Sequence, residues 1–479
     1  MSKTDLISLI PLWILSSAAI LIFFSVSVKR NHKWIFIITV LSFIGDFIWL
    51  ITYSIRPEHQ HAIEPLLVFD GFGIFNIGLI LLTTLIVAMM SYAYFEQREE
   101  RKEEYYILLI LASLGACIMV ISKHFVSLFL GLEILSVSLY ALIAYLRTRG
   151  RSDEAGIKYL ILAAFSSAFL LFGMALVYAT TGSMEFNAIA NWLNQNSNEM
   201  PLMMLAGFGL MVVGVGFKLG VVPFHMWTPD VYEGAPAPVT AFIATASKGG
   251  MVALLVRFFH ALNGYQYESL VWIFASVAIA SMFVGNFLAL RQNNVKRILA
   301  YSSIAHLGYL LVAFLAGGKL GVEAISFYLV AYFITSLGAF GILATLSDKE
   351  RDAELLEDYR GLFWSRPVTA TAFSAMLLSL AGIPLTAGFI GKFYLLAAGI
   401  QSQLWLLAFI LVINSVIGLY YYIKVLAVMF DKKQHEITSE QLNPLVYIMS
   451  SFTMAILTIL LIWIGVNPSY MMDLIRGVI

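Results

Sequence analysis

The sequence predicts an all-α polytopic membrane protein that crosses the bilayer about fourteen times. Hydrophobic residues make up 60% of the 479 residues, charged residues make up 12%, and the mean hydropathy is +0.85. This composition is typical of an integral membrane protein. Apolar runs of spanning length follow one another along the chain with short loops between them. We therefore expect a single membrane domain over residues 1–479.

Fourteen apolar runs reach the length of a transmembrane helix. The first run lacks the basic start and the small-residue cleavage site of a secretory signal, so we expect it to be retained. An even number of crossings puts both termini on the same side of the membrane. The predicted spans are residues 5–28, 34–55, 71–95, 105–122, 125–146, 157–181, 201–226, 237–262, 268–290, 298–316, 321–346, 368–399, 403–430 and 444–467.

The distribution of lysine and arginine predicts the orientation of these spans. Assigning the loops alternately to two sides puts eighteen of the 29 basic residues in one set of loops and six in the other. The richer set should face the cytoplasm, so both termini should lie on the outer side. It contains Lys29, Arg30, Lys33, Arg98, Arg101, Lys102, Arg147, Arg149, Arg151, Arg291, Lys296, Arg297, Lys349, Arg351, Arg360, Arg366, Lys432 and Lys433. The poorer set contains Lys3, Arg56, Lys123, Arg257, Lys319 and Arg476.

Four ionisable residues lie deep within predicted spans, namely Glu133, Lys218, Lys248 and Lys392. An ionised side chain at the bilayer centre costs about 2.5–3.5 kcal/mol even on lenient insertion scales. A desolvated lysine also gives up its proton readily, because burial penalises the charged form. The pattern therefore predicts a proton or ion path through the membrane.

Two predicted helices, the seventh and the twelfth, carry Gly/Pro breaks beside these lysines. Gly220 and Pro223 follow Lys218, while Gly382 and Pro384 precede Lys392. Irregular backbone at membrane depth is tolerated where it is buried in protein or lines a watery cavity. Paired breaks in the two halves of a chain indicate inverted repeats around a transport site. The breaks lie five helices apart, which predicts two five-helix units. These units cover residues 105–262 and 268–430, or helices 4–8 and 9–13.

Several of these residues have a structural alternative to a transport role. Glu133 and Lys218 could form a buried pair that only holds helices together. Lys158 and Lys424 lie near helix ends, where a long side chain can extend its ammonium group to the interface. Lys158 is also a candidate for the proton input path.

The histidines and three further acidic residues allow more than one interpretation. His306 could relay protons or pack as a hydrogen-bonded side chain, and His225 could relay protons or satisfy carbonyls freed by the break at Pro223. Asp230 and Glu233 are predicted in a short loop without bases, where facing water is favoured over attracting protons. Asp46, in the second span, has no predicted role.

Redox cofactors, metals and nucleic acid are not expected to bind this chain. Its one cysteine, Cys117, cannot supply the four thiolates of an iron–sulfur cluster or form an internal disulfide. The glycines at 207–220 do not follow the dinucleotide-binding pattern. Histidine, cysteine and carboxylates do not cluster at metal-ligand spacing. The net charge of zero argues against a nucleic-acid partner.

The residues around the breaks resemble a known family, the antiporter-like subunits of respiratory complex I, and most closely its N-type members. Residues 216–236 carry the family signature and read Gly-Phe-Lys-Leu-Gly-Val-Val-Pro-Phe-His-Met-Trp-Thr-Pro-Asp-Val-Tyr-Glu-Gly-Ala-Pro. The resemblance extends over about residues 105–430. Further matches are Leu132-Glu133, Ala246-Ser247-Lys248, Ala300-Tyr301-Ser302-Ser303-Ile304-Ala305-His306 and Gly388-Phe389-Ile390-Gly391-Lys392.

The resemblance implies one proton-translocating unit of a bacterial NADH:quinone oxidoreductase in the inner (plasma) membrane, built from two inverted five-helix repeats. It implies that Glu133 pairs with Lys218, that Lys248 is the central relay, and that Lys392 connects to the outside. NADH, FMN, iron–sulfur clusters and quinone are then expected in other subunits. Other membrane-arm subunits are expected on both sides of this chain, within the lipid bilayer.

Two other classes of function are alternatives. A cation/proton antiporter subunit of the Mrp type, or a membrane-bound hydrogenase relative, shares the broken-helix signature. The family's M-type and Mrp D-type members carry glutamate where this chain has Lys392, which favours the N-type. The third class is a scaffold that only fills membrane space, and the intramembrane ionisable residues count against it.

Overall fold

The computed structural model describes residues 3–54, 61–96, 98, 101–146, 150–196, 200–432 and 444–479. The chain is an all-α polytopic membrane protein, as predicted. In those ranges the strands are limited to β1 (His61–Ile63) and β2 (Leu67–Phe69), which pair antiparallel. Four of the basic residues used for the orientation lie outside the described residues. They are Arg56, Arg147, Arg149 and Lys433.

The helices follow the predicted spans in order, with several additions. The N-terminal part contains α1 (Lys3–Ser8), α2 (Ile10–Val28), α3 (His32–Trp49) and α4 (Gly71–Glu96). The middle contains α5 (Glu104–Val120), α6 (Phe125–Ile143), α7 (Gly150–Thr181), α8 (Phe186–Asn196), α9 (Leu202–Leu219), α10 (Trp227–Gly234), α11 (Ala237–Phe242) and α12 (Lys248–Ala261). The last part contains α13 (Glu268–Leu290), α14 (Val295–Ala316), α15 (Gly318–Leu346), α16 (Leu362–Ser365), α17 (Pro367–Ala381), α18 (Ala387–Gln401), α19 (Trp405–Met429), α20 (Pro444–Val466) and α21 (Pro468–Val478).

The number of membrane crossings depends on three segments of limited length. Eleven helices of the described chain are long and apolar enough to cross a membrane, or twelve if the bent pair at the C-terminus is one span. Helix α5 has 17 residues, and α17 and α18 have 15 each. At 1.5 Å per residue, α5 is about 26 Å long, slightly less than the hydrocarbon thickness. The count of fourteen stays a prediction.

Both predicted helix breaks are present, and each begins at a glycine in the left-handed conformation. Helix α9 ends at Gly220 with φ 72°, and α17 ends at Gly382 with φ 85°. The N–H of each glycine donates to carbonyls three and four residues earlier, which closes the helix end. A side chain at this φ would be strained, so glycine determines where the two helices stop.

The seventh helix continues beyond the predicted span. The sequence placed its end near residue 226, but the chain resumes helical structure in α10 after the break. Asp230 and Glu233 therefore lie on a short helix, and the prediction of a loop is wrong. Pro229 is compatible with this helix because it occupies the first turn, where its missing N–H has no helical partner to lose.

The sequence analysis also did not predict several other local features. A π-helical turn, Ile243–Ser247, separates α11 from α12 immediately before Lys248. Helices α8 and α21 lie outside the predicted spans, and α21 is bent 87° from the helix before it. These segments are too short or too polar to give the apolar run from which a span is predicted.

The helices that carry Lys248 and His306 are the most buried of the candidate spans. The most apolar windows of Ala237–Ala261 and α14 are 100% and 94% buried, against 28% for α2 and 28% for His32–Thr52. Helix α15 packs against α11, α14, α17 and α18. Lys248 and His306, which lie on these helices, are thus shielded by protein.

Close glycine contacts hold two neighbouring helix pairs together. A Cβ atom on Gly115 in α5 would lie 2.6 Å from the carbonyl oxygen of Gly131 in α6. A Cβ atom on Gly285 in α13 would lie 2.8 Å from the carbonyl oxygen of Tyr301 in α14. Small residues allow such close approach of membrane helices. The contacts fix the register of α6 and α14, which carry Glu133 and His306.

The loops gather at two ends of the helical bundle. Ser8 Oγ lies 3.4 Å from His61 Nδ1, and the Val478 carbonyl abuts Gly71, so both ends of the described chain meet there. We call this the terminal end. The opposite end, which we call the basic end, collects loops of the richer basic set through ion pairs. These pairs include Arg30–Glu104, Arg98–Asp352, Arg151–Glu354 and Lys296–Asp352.

Candidate functional site

Three lysines lie inside the bundle with their side chains shielded from solvent. Lys218, Lys248 and Lys392 are 3%, 1% and 7% exposed. Lys218 is in the last turn of α9, Lys248 follows the π-helical turn, and Lys392 is in α18 just after the second break. Lys218 and Lys248 lie beside interruptions of their own helices, and Lys392 contacts the carbonyls at the end of α17.

Hydroxyl groups hold the amine of Lys218. Its Nζ donates to Ser136 Oγ and to Tyr159 Oη, both at 3.1 Å. Ser136 is on α6 and Tyr159 is on α7, so the lysine joins three helices. The two hydroxyls can accept from the ammonium form and donate to the neutral amine, which suits a group that changes protonation state.

Glu133 lies near Lys218 but is not in contact with it. Its Oε1 accepts a hydrogen bond of 2.6 Å from Ser167 Oγ. On α6 it precedes Ser136, the partner of Lys218, by three residues, which is about one helical turn. The structure describes both side chains and contains no direct ion pair between them. The Glu133–Lys218 pair implied by the family resemblance is therefore not formed in this structure. Glu133 lies one helical turn from Ser136, which contacts Lys218.

Lys248 is hydrogen-bonded to a cluster of hydroxyl groups. Its Nζ donates to Ser303 Oγ at 2.6 Å. Ser303 Oγ also accepts from Tyr332 Oη at 2.8 Å and lies 3.3 Å from Tyr232 Oη. The ammonium group lies 3.6 Å from the position that a Cβ of Gly220 would take. The first helix break therefore lies beside Lys248 as well as after Lys218.

His306 connects two tyrosines from different helices. Its Nδ1 lies 2.5 Å from Tyr328 Oη on α15, and its Nε2 lies 3.2 Å from Tyr422 Oη on α19. The ring centroid is 5.4 Å from that of Tyr332, a member of the Lys248 cluster. His306 lies within electrostatic range of both Lys248 and Lys392.

Lys392 binds the carbonyl groups at the end of α17. Its Nζ donates to Leu380 O at 2.9 Å, to Ala381 O at 3.0 Å and to Ser415 Oγ at 3.0 Å. Carbonyls at a helix C-terminus carry partial negative charge and stabilise a cation there. The break at Gly382 exposes these carbonyls, and the face of the Tyr309 ring lies 5.1 Å from Nζ.

The three buried lysines are not joined to one another by direct hydrogen bonds. Among the described residues, each lysine bonds to hydroxyl or carbonyl groups rather than to the next ionisable side chain. Transfer of a proton between them therefore requires the intervening hydroxyls or water. The sequence analysis did not predict these hydroxyl residues, although their position as polar residues within apolar spans could have indicated them. They are Ser136, Tyr159, Ser303, Tyr328, Tyr332, Ser415 and Tyr422.

We expect the change Tyr159→Phe to lower proton transfer severalfold while leaving the fold intact. The ring still packs against Trp227 at 5.0 Å, but one hydrogen bond to Lys218, worth about 1 kcal/mol, is lost. The measurement is the rate of coupled proton uptake by vesicles containing the purified protein with its partners. Tyr140→Phe is the matched control, because that ring also packs on Tyr159. Equal rates in both variants would contradict the role of the Tyr159 hydroxyl.

Lys158 is part of a charged cavity at the basic end. Its Nζ lies 2.7 Å from Glu154 Oε1 and 3.0 Å from Asp230 Oδ2, and the side chain is 45% exposed. The cavity has a volume of about 230 Å³. Its lining includes Arg151, Glu154, Lys158, Asp230, Glu233 and Arg297. Lys424 donates to Gln292 O and Asn293 Oδ1 at the same end, as expected for a side chain extended to the interface.

Asp230 and Glu233 do not simply face water. Arg297 Nη1 lies 2.9 Å from Asp230 Oδ1 and 2.7 Å from Glu233 Oε2. Burial alone would raise the pKa of Asp230, but hydrogen bonds from Lys158 and Arg297 lower it below its usual range. The short local sequence contains no base, which is why the prediction missed the basic residues that α7 and α14 bring to it.

Lys296 was predicted in a loop, but the structure buries it completely. It is 0% exposed, and its Nζ binds Asp352 Oδ2 at 2.9 Å and the carbonyls of Glu233 and Ala235 at 2.9 and 2.6 Å. A cation at the C-terminus of α10 stabilises that short helix. Lys296 therefore fixes the second half of the broken seventh helix to the basic end.

Two other buried side chains have less connection to the lysines. His225 is 7% exposed and donates to the Pro223 carbonyl, while its Nδ1 has no partner among the described residues. This contact fits the alternative in which His225 satisfies a carbonyl freed by the break. Asp46 is 0% exposed, and neither carboxyl oxygen has a described partner. No contact in the structure suggests a role for Asp46.

The described residues contain no group of three or more His, Cys, Asp or Glu side chains that could hold a metal ion. Cys117 is buried and is not part of a disulfide.

Sequence comparison connects this arrangement with a known family. Residues 122–418 match the family model described as NADH:quinone oxidoreductase/Mrp antiporter, transmembrane. The NADH-quinone oxidoreductase subunit N of Nitrosospira multiformis is 48% identical over 490 aligned positions, covering 99% of this chain and 96% of that protein. The chain belongs to the subunit N family of NADH-quinone oxidoreductases. The prediction made from the broken-helix residues is confirmed.

Three solved structures have the same fold as this chain. A chain of respiratory complex I from Thermus thermophilus is 30% identical and has a TM-score of 0.82. The alignment covers 97% of this chain and 98% of that chain. An archaeal membrane-bound sulfane sulfur reductase chain is 24% identical with a TM-score of 0.84, covering 98% of this chain and 96% of its own. An Mrp complex chain from a Dietzia species is 19% identical with a TM-score of 0.86, covering 100% and 97%. The last two show a shared fold.

Proposed function

We propose that this chain is a proton-translocating membrane-arm subunit of an NADH:quinone oxidoreductase and performs no electron transfer itself. One observation carries the proposal, namely the row of three buried lysines held by hydroxyl and carbonyl oxygens beside two broken helices. Such residues are costly in a membrane and are retained where protons or ions pass. Membership of the subunit N family agrees with this function. NADH, FMN, iron–sulfur clusters and quinone belong to other subunits in this proposal.

The protonation of Lys218 is controlled by the distance to Glu133. A carboxylate within about 4–6 Å of a lysine favours its charged form, and moving the carboxylate away favours proton release. Glu133 is held by Ser167, one helical turn from the Lys218 partner Ser136. A modest shift of α6 or of either side chain would therefore change the interaction. This gives the Glu133–Lys218 pair the role of a switch.

Lys248 and Lys392 carry the proton onward. A positive charge on Lys218 that is no longer balanced by Glu133 repels the ammonium form of Lys248, which lies on the other side of the Gly220 break. The proton passes through hydroxyls and water to His306 and then to Lys392. Protonation of Lys218 and Lys248 from the cytoplasm restores the starting state.

The energy of this cycle is within reach of side-chain electrostatics. Moving one charge across 100 mV stores about 2.3 kcal/mol. A change of one unit in proton affinity corresponds to about 1.36 kcal/mol. Shifts of a few units, produced by forming and breaking charge contacts, therefore supply enough energy for each step.

Protons enter through the charged cavity at the basic end. Lys158 and Asp230 line this cavity. Tyr159, the next residue on α7, is uncharged and accepts a hydrogen bond from Lys218. The side chains of residues 158 and 159 thus link the cavity surface to the first buried lysine. This assignment makes Lys158 an accessory residue of the input path.

The two five-helix units, residues 105–262 and 268–430, form inverted repeats in this proposal. Equivalent features support it, including the glycine contacts of α5 with α6 and of α13 with α14. The breaks at Gly220 and Gly382 share the same closing hydrogen bonds. Each unit then contributes one broken helix and one lysine beside it.

Neighbouring membrane-arm subunits cover two sides of this chain. Glu133 is half-buried on α6 between the exposed residues Leu130 and Val137, so a partner there would shield its carboxylate from lipid. On another side, α19 presents a stripe of large apolar residues. It contains Trp405, Leu406, Phe409, Val416 and Tyr420. The basic end faces the bacterial cytoplasm and the terminal end faces the periplasm, in agreement with the charge distribution.

Purification of the intact complex tests this function directly. We expect the chain to co-purify with NADH-driven quinone reduction, and vesicles containing the complex to take up protons during turnover. The change Glu133→Gln should lower proton uptake per NADH oxidised, whereas Glu357→Gln, at an exposed carboxylate that pairs with Arg360 outside the cavity lining, should change it little. A stable assembly that only exchanges sodium for protons, without quinone reduction, would rule the proposal out and favour the antiporter alternative.

A further inference from the structure

A buried carboxylate at the terminal end is not part of the path described so far. Glu323 lies near the start of α15 and is 4% exposed. Its Oε2 accepts a hydrogen bond of 3.0 Å from Arg476 Nε, on the C-terminal helix α21. The Arg476 side chain is 51% exposed, so the pair joins a buried acid to the bundle surface.

Helix α21 lies across the terminal end instead of continuing the last span. It is bent 87° from the helix before it and packs against α15 and α4. Met472 and Ile475 are its buried residues. A Cβ on Gly71, at the start of α4, would lie 1.6 Å from the Val478 carbonyl oxygen, so the end of α21 is pressed onto α4. Arg476 is therefore held over Glu323 by the packing of a separate helix.

Glu323 lies on the terminal-end side of the groups that surround Lys392 and His306. On α15 it precedes Tyr328, the His306 partner, by five residues, or about 7.5 Å along the helix. On α18 the residue two positions after Lys392 is Tyr394, whose ring lies 5.0 Å from that of Phe327 on α15. Tyr394 also lies within electrostatic range of Arg476. The interface of α15 and α18 thus leads from Lys392 to Glu323.

We propose that Glu323 and Arg476 form the proton-release gate at the terminal end, an inference that rests on the proposed proton-translocating function. The ammonium form of Lys392 passes a proton through water to the Glu323 carboxylate, which leaves a neutral amine and a neutral carboxylic acid. Glu323 then gives the proton to water outside, and the carboxylate is restored. No oxidant, reductant or further reactant is required.

Arg476 gives the gate two positions. Arginine stays protonated, so a positive charge lies against the Glu323 carboxylate that accepts its hydrogen bond. When Glu323 is neutral, the guanidinium group loses the negative charge of this partner and keeps only a neutral acceptor oxygen. Asp473 lies three residues earlier on α21 and within electrostatic range of Arg476. The guanidinium group can therefore turn towards Asp473 while Glu323 carries the proton.

The change Glu323→Gln in the intact complex tests the gate. Glutamine keeps an oxygen that accepts from Arg476 Nε but cannot carry the proton, so we expect NADH-driven proton uptake to fall at least about tenfold while assembly and thermal stability are kept. Glu323→Asp restores a carboxylate and should regain a large part of the uptake. Glu268→Gln is the matched control, because this exposed carboxylate at the start of α13 binds the Trp272 indole at the same end.

Two outcomes overturn the release gate. In one, Glu323→Gln pumps as well as the control. In the other, Glu323→Gln and Glu323→Asp lose proton uptake only in proportion to the loss of assembled complex. That result would show that Glu323 only holds α21 in place. Replacing Lys248 separates failure of the gate from failure of the proposed function. If only the gate is wrong, the Lys248 variant still stops pumping. If the proposed function is wrong, the Lys248 variant does not affect pumping.

Discussion

Replacing Lys248 with alanine should reduce NADH-driven proton pumping by the assembled complex roughly a hundredfold, the scale of losing a positioned acid–base group. Lys248 is the middle group of the path and is 1% exposed, so no solvent-borne group can take its place. The fold should tolerate the change, since Ser303 keeps its hydrogen bond from Tyr332. Proton uptake and quinone reduction are measured on the same vesicles.

Lys424→Ala provides the matched control for this experiment. Its ammonium group binds Gln292 and Asn293 at the basic end, away from the buried lysines. The control should pump normally. If Lys248→Ala assembles and pumps at the rate of the control, the relay through the buried lysines is wrong.

The change Gly388→Ala should prevent α17 and α18 from packing as they do. A Cβ at this position would lie 2.0 Å from the Ser379 carbonyl oxygen and 2.7 Å from its carbonyl carbon. Both are backbone atoms that cannot move aside without shifting α17. Overpacking costs about 1–3 kcal/mol and more where backbone must move. The midpoint of thermal unfolding of the purified complex should fall clearly, and proton uptake should fall with it because Lys392 follows four residues later.

Gly209→Ala is the control for this substitution. Nothing lies within 4 Å of a Cβ at Gly209 in α9. Alanine favours a helix over glycine by about 1 kcal/mol, so this variant should be as stable as the wild type or slightly more stable. Equal stability of the Gly388 and Gly209 variants would show that the second break is not packed as described.

Much of the fold follows from the sequence because membranes restrict the choice of structure. A backbone in lipid must satisfy its own hydrogen bonds, so an apolar run of about 20 residues is a helix. Both breaks were predicted, since Gly220 and Gly382 are followed within three residues by proline. The buried lysines were found in the same way, because a charge in an apolar run is conspicuous.

Short-range patterns did not predict features that depend on the packing of distant helices. Helix α10 is stabilised by Lys296, which is 63 residues from Glu233, and the bases that pair with Asp230 come from α7 and α14. The hydroxyl partners of the lysines were also missed. Serine and tyrosine are common in membrane helices, and nothing local distinguishes Tyr159 or Ser303 from other polar residues.

The sequence by itself determined the class of protein, the order of its helices, the two breaks and the four ionisable residues within the spans, namely Glu133, Lys218, Lys248 and Lys392. These depend on local apolarity, on proline and on glycine, all of which act within a few residues. The tertiary structure decided which oxygen atoms each lysine meets, the open distance between Glu133 and Lys218, and the contact of Glu323 with Arg476. Those distances depend on how helices far apart in the chain pack, which no local pattern records.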